Sequence, residues 1–180
     1  IHGNQRVKRE LLDDLLAIEI GKPLTPGKIN KVREKLYALG LFKSIQVERI
    51  GEDTTQQDLL IQLQERPNIL FAFGGGVATD EGLKITGSAS HRNLFGVAHQ
   101  LSLIGTFGFG WDGDTWRVDS QEYIWRAAIK YVAPRVPTSN SEVVLEGLLR
   151  EEVYESNYRF YRSGASLGMS SRPLKGMETL

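Results

Sequence analysis

Cysteine is absent from this chain of 180 residues, so it holds no disulfide framework and no thiolate metal site. An excess of charge is absent too: 22 Lys and Arg balance 22 Asp and Glu, with only 3 His. A formal net charge of zero leaves no basic footprint for nucleic acid. No run approaches the ~18 consecutive apolar residues of a membrane helix. That says nothing about strands, because a barrel strand needs an apolar residue only at every second position. No catalytic elbow is expected, because the Gly-x-Ser-x-Gly spelling at Gly164-Ala165-Ser166-Leu167-Gly168 falls inside an expected strand and not at a strand-to-helix turn. Gly74–Gly76 lack a Walker lysine and a following helix. His91 and His99 flank a turn without a carboxylate partner, a poor start for a metal centre. The expectation is a protein that is not an enzyme and uses no cofactor or metal. At 41% hydrophobic and 24% charged residues, composition alone would suggest ordinary soluble domains.

What the chain does have is long alternation. In Val97–Trp111 the odd positions include Leu101, Leu103, Phe107 and Phe109, against Gln100, Ser102 and Thr106. In Val118–Val132 one face carries Tyr123, Trp125, Ile129 and Tyr131, and the other Glu122, Arg126 and Lys130. A soluble strand usually spans about five or six residues. These segments are long enough to cross a bilayer on a tilt, with the apolar side toward lipid. Tyr123 and Tyr131 would lie roughly 26 Å apart along a strand and about 20 Å apart along the membrane normal, a spacing that suits two aromatic girdles.

Before Pro67 the pattern is different. Asn4 is placed to cap a helix over Arg6–Ile18, with Val7, Leu11, Leu12, Leu15 and Leu16 as its apolar stripe. Gly21, Lys22 and Pro23 interrupt it. Thr25 then caps a second helix with Pro26 at its first position. Ile29, Val32, Leu36 and Leu39 share its buried face, and Gly40 ends it. Leu41 and Phe42 are predicted to plug the core. Strands over Ser44–Ile50 and Asp58–Glu65 follow, joined by the loop Gly51–Gln57.

This order of pieces, with Gly21-Lys22-Pro23-Leu24-Thr25 and Leu36-Tyr37-Ala38-Leu39-Gly40-Leu41-Phe42, resembles a POTRA domain. The likeness covers residues 1–66 and lacks most of the domain's first strand, which would lie upstream of Ile1. Asn68–Val77, Thr79-Asp80-Glu81-Gly82 and Arg92-Asn93-Leu94-Phe95-Gly96 resemble the opening of the barrel in the BamA/TamA superfamily of outer-membrane assembly proteins. The resemblance implies an α+β POTRA domain, two helices on a small sheet, followed by the N-terminal strands of an antiparallel transmembrane β-barrel over 68–180.

The strand map from the residues alone is Ile69–Val77, Leu83–His91, Val97–Trp111, Trp116–Val132, Glu142–Val153 and Tyr158–Ser170. Asp112-Gly113-Asp114 makes a tight turn, and Pro134–Asn140 a longer connection. In the fifth strand Val143, Leu145 and Leu149 oppose Glu142, Glu146 and Arg150. Six strands do not close a barrel, for which about eight is the usual minimum. The resemblance implies a complete barrel of sixteen.

The functional expectation concerns edges. Ile69, Leu70, Phe71, Ala72 and Phe73, followed by Gly74, Gly75 and Gly76, form a first strand whose glycines lower strand propensity. The resemblance implies a lateral seam there, where substrate strands pair by β-augmentation. The competing account is that the glycines mark a bend or close packing against the POTRA domain. The POTRA edge strand, with Ile45, Gln46, Val47 and Glu48, is a second candidate for holding extended polypeptide. Implied partners are unfolded outer-membrane protein substrates, the lipid bilayer and periplasmic accessory proteins, with no nucleic acid. The implied location is the outer membrane, of a bacterium or an organelle of bacterial origin, with the POTRA domain in the periplasm. Two alternatives share the architecture: a polypeptide-secretion pore, and a barrel anchoring a lipase-like domain upstream.

Overall fold

The computed structural model describes residues 1–16, 25–51, 58–78, 82–112, 117–136, 141–154 and 158–171. Two helices, α1 (Arg9–Leu16) and α2 (Pro26–Ala38), precede a hairpin of β1 (Phe42–Ile50) and β2 (Asp58–Glu65). Six strands follow: β3 (Ile69–Ala78), β4 (Gly82–Leu94), β5 (His99–Asp112), β6 (Arg117–Pro134), β7 (Ser141–Tyr154) and β8 (Tyr158–Ser171). They form one antiparallel sheet in sequence order, unclosed among the described residues. The chain divides into two compact units, Ile1–Asn68 with Arg92–His99, and Ile69–His91 with Gln100–Leu180.

The first unit has one apolar core. Leu12 and Leu16, four residues apart, are the buried face of α1, and Val32 and Leu36 that of α2. Leu41 and Phe42 are buried beneath the helix end, as predicted, together with Ile45, Ile61 and Leu63 from alternate positions of β1 and β2. β2 is central: β1 pairs with one side and His2 bridges to Gln62 in parallel on the other. β1 therefore has a strand partner on one side only among the described residues.

Helix α1 starts later than predicted, and Asn4 does not cap it. Its amide Nδ2 donates to the Val7 carbonyl at 3.3 Å instead. The reason is Glu65 at the end of β2, whose Oε1 accepts the backbone N–H groups of Gln5 and Arg6 at 2.9 Å and Val7 at 3.0 Å. A carboxylate holding three consecutive amides keeps Gln5–Val7 out of helical geometry. Thr25 occupies the N-cap position of α2, but its side chain makes no capping bond; its carbonyl accepts from Lys28 at 2.9 Å and Ile29 at 3.2 Å. Gly40, with φ +68°, ends the helix region. The end of the α1 expectation at Ala17 and Ile18, Gly21-Lys22-Pro23, most of Gly51–Gln57, Thr79-Asp80-Glu81, most of Asp112-Gly113-Asp114 and much of Pro134–Asn140 lie outside the described residues.

Segment Arg92–His99 belongs to the first unit although strands flank it. Asn93, 3% exposed, works with both ends of its amide: Nδ2 donates to the Arg6 carbonyl and Oδ1 accepts from the Ala98 N–H, each at 2.9 Å. The Lys8 N–H donates to the Gly96 carbonyl at 2.9 Å, and Ala98 joins the core of the unit. Predicted as strand from Val97, this stretch instead turns, with Phe95 and Gly96 both at positive φ. A side chain at Gly96 would press on Lys8 and on the Arg6 carbonyl in a left-handed backbone.

In the second unit the remaining strands match expectation to within a few residues. Register runs from Ile69↔His91 to Ala78↔Gly82, from Gln100↔Val132 to Phe109↔Tyr123 before a bulge, from Tyr123↔Val153 to Pro134↔Glu142, and from Ser141↔Ser171 to Tyr154↔Tyr158. Gly82, at φ +74°, has no room for a Cβ, which would strike the Phe109 carbonyl.

Glu65→Ala is expected to lower stability by about 1–3 kcal/mol, because three amides lose a charged acceptor and are only partly rescued by water. Hydrogen exchange at Val7 should accelerate by a matching factor; unchanged protection would refute this role. Gly82→Ala should reduce folding yield into vesicles, whereas Gly74→Ala, with nothing within 4 Å of the added Cβ, should fold as the parent does.

Candidate functional site

β3 is the first strand of the sheet and pairs only with β4 among the described residues. Its other edge presents backbone N–H and C=O groups. Ile69, Leu70, Phe71 and Phe73 are exposed, Phe73 to 84%, and Ala72 is exposed as well. Gly74, Gly75 and Gly76 adopt ordinary extended backbone, so no left-handed turn demands them. A Cβ at Gly74 or Gly76 would meet nothing within 4 Å, and at Gly75 only the Lys84 carbonyl at 3.4 Å. Neither close packing nor positive φ accounts for the three glycines. What they do is leave the strand without side chains there and weaken it.

The two faces of the sheet differ in chemistry. Leu101 lies opposite Tyr131, Leu103 opposite Ile129, Phe107 opposite Trp125 and Phe109 opposite Tyr123, so these eight residues share one face. Leu145 and Leu149 continue it on β7, and Leu167 and Met169 on β8. Phe107 meets Phe109 edge-on at 4.7 Å and stacks near Tyr123 at 6.5 Å. On the opposite face the Lys130 Nζ pairs with Glu146 at 2.8 Å, and Arg150 pairs with Glu152. The Thr86 and Thr106 hydroxyls bond at 3.1 Å, and Ser170 donates to Glu142 at 3.1 Å.

One group on the apolar face was missed in the sequence. Glu151, 8% exposed, stands opposite Trp125 and Tyr161. Its carboxylate accepts from Trp125 Nε1 at 2.5 Å and the Tyr123 hydroxyl at 3.3 Å, and meets Arg159 Nε at 3.4 Å. Arg159 also donates to the Tyr161 hydroxyl at 3.1 Å. A buried carboxylate persists only with such partners. The signal was available: Arg150-Glu151-Glu152 are three successive charges, so one of them must break the alternation.

In the first unit Ile45 is buried, Val47 half-buried, and Gln46 and Glu48 exposed along the β1 edge. Among the described residues no cluster of His, Asp and Glu is arranged to hold a metal, and no helix is long and apolar enough to cross a membrane.

Residues 1–66 match the POTRA family, described as a surface antigen variable number repeat. The chain is 27% identical over 101 residues to the outer membrane protein assembly factor BamA of Neorickettsia risticii, a stretch covering 56% of this chain and 14% of that protein. It shares its fold with the crystal structure of BamA from Haemophilus ducreyi lacking POTRA domains 1–3, at a TM-score of 0.68 and 15% identity, over 91% of this chain and 29% of that one. The chain thus spans only a small part of the length of these proteins. A POTRA domain over residues 1–66 thus leads into antiparallel strands that share the BamA fold, and in both parts the chain is similar to the BamA/TamA superfamily.

Proposed function

We propose that this chain is the POTRA-to-barrel portion of an outer-membrane insertion factor, acting without catalysis or cofactor. Residues 1–66 form the periplasmic domain and residues 68–180 the first strands of the barrel. The β1 edge, through Ile45–Glu48, holds extended polypeptide in the periplasm. β3 is the seam at which an incoming strand pairs with Ile69–Gly76. The face of Leu103, Ile129 and Tyr131 meets lipid, and the face of Lys130 and Glu146 meets water.

The observation that carries this reading is β3 itself. It combines an edge without a strand partner among the described residues, exposed aromatic side chains, and three glycines with open space where side chains would sit. A seam must separate at small cost to admit a new strand, and each glycine lowers that cost by about 0.5–1 kcal/mol relative to alanine. Unfolded outer-membrane proteins are then the substrates, periplasmic accessory proteins the helpers, and the outer membrane the location.

Three measurements test it. A cysteine at Phe73, cross-linked to the last strand of the full-length protein, should abolish substrate insertion into liposomes, with recovery on reduction; full activity in the locked form would remove the seam. Gly74→Ala with Gly76→Ala should stabilise the strand by about 1–2 kcal/mol in total while slowing assembly several-fold. Faster or unchanged assembly would count against the glycines as a weak seam. Leu103→Arg should destabilise the membrane-inserted protein by about 2–4 kcal/mol, and Ser166→Lys, opposite Glu146, by less than about 1 kcal/mol. Equal costs would contradict the assignment of faces.

A further inference from the structure

The register of the charged face contains an arrangement that sheet stability disfavours. Arg126 stands directly opposite Arg150, and Arg150 directly opposite Arg162. Directly opposed residues hold their Cβ atoms about 4.5–5.5 Å apart, and like charges there destabilise the pair. Thr106 extends the row from Arg126 and bonds to Thr86, so hydroxyls and three guanidiniums line up across five strands. Glu152 pairs with Arg150. Among the described residues neither Arg126 nor Arg162 meets a carboxylate, and both are exposed. A hollow of about 240 Å³ lies beside Arg150, Glu152 and Arg162. By contrast, opposite charges face each other in the Lys130–Glu146 pair across the same strands β6 and β7.

Three opposed arginines against one carboxylate make a row with uncompensated positive charge and free guanidinium forks. Such forks match a carboxylate in two-point geometry. Glu152 already offsets part of the charge and would repel a doubly charged phosphate more than a singly charged carboxylate. We propose that Arg126, Arg150 and Arg162 form a carboxylate-binding row that engages acidic side chains of a polypeptide passing along this face. The proposal rests on the assembly reading above and specifies a chemical preference in the polypeptide handled. Binding one or two carboxylates would also relieve the mutual repulsion of the arginines, so the site is poised for a transient occupant.

The test uses the full-length protein in detergent and a fluorescein-labelled peptide of alternating Glu and Ser, followed by fluorescence anisotropy. A peptide of alternating Gln and Ser is the control. The wild type should bind the acidic peptide in preference to the control. Binding should weaken about tenfold or more in the double variant Arg126→Gln, Arg162→Gln, and with added salt. The variant loses like-charge repulsion, so its heat-modifiable mobility on gels should persist. Arg126→Lys with Arg162→Lys keeps the charge but loses the fork, and should weaken binding to an intermediate degree. It carries the test if the glutamine variant fails to fold. No binding to the wild type, equal binding of the two peptides, or wild-type affinity in the variants would each overturn the proposal. Substrate insertion by the wild type, assayed in parallel, separates the two ideas: insertion without preference for the acidic peptide removes the row and leaves the seam standing.

Discussion

Everything in the second unit depends on one constraint, the backbone ladder of antiparallel pairing. Each pair of opposed residues places two side chains on the same face, so register converts a one-dimensional alternation into two chemically distinct surfaces. Slipping β6 by a single residue against β5 would turn Ile129 and Tyr131 to the face of Ser102 and Thr106, and Lys130 to the face of Leu101 and Leu103. The apolar bulk of Leu103, Phe107 and Trp125 on one side, and the ion pairs on the other, hold that register at every step. Where the ladder stops, at the outer edge of β3, the same backbone groups become available for pairing. Stability within the sheet and the strand pairing proposed at its edge would be two uses of one hydrogen-bonding pattern.

The first unit is organised around a different device. Glu65 gathers the amides of Gln5, Arg6 and Val7, and Asn93 reaches the carbonyl of Arg6. Residues far apart in sequence thereby satisfy a stretch of backbone that has no ladder of its own. Ala98 fills part of the core, so a segment flanked by barrel strands completes the packing of the small α/β unit.

Much of this was legible beforehand. The helix stripes of Leu12 and Leu16 and of Val32 and Leu36, the plug of Leu41 and Phe42, and the alternation of β5 and β6 are local periodicities, and local periodicity is what a sequence displays openly. The misses share one cause. Asn4 was an adequate cap until a carboxylate sixty residues away claimed the neighbouring amides. Val97 and Ala98 continued a strand pattern until burial in the first unit pulled them into a turn. Glu151 went unremarked until pairing placed it beside Trp125 and Tyr123.

By itself the sequence determined the type and order of the elements, which residues alternate, and the thinness of the first strand, because these follow from side-chain chemistry at fixed short spacings. Only the tertiary structure decided which residues stand opposite one another, since cross-strand partners can lie far apart along the chain, as Gln100 and Val132 do. That is why the row of Arg126, Arg150 and Arg162, the enclosure of Glu151 and the two hydrogen bonds of the Asn93 amide emerge only in the folded chain.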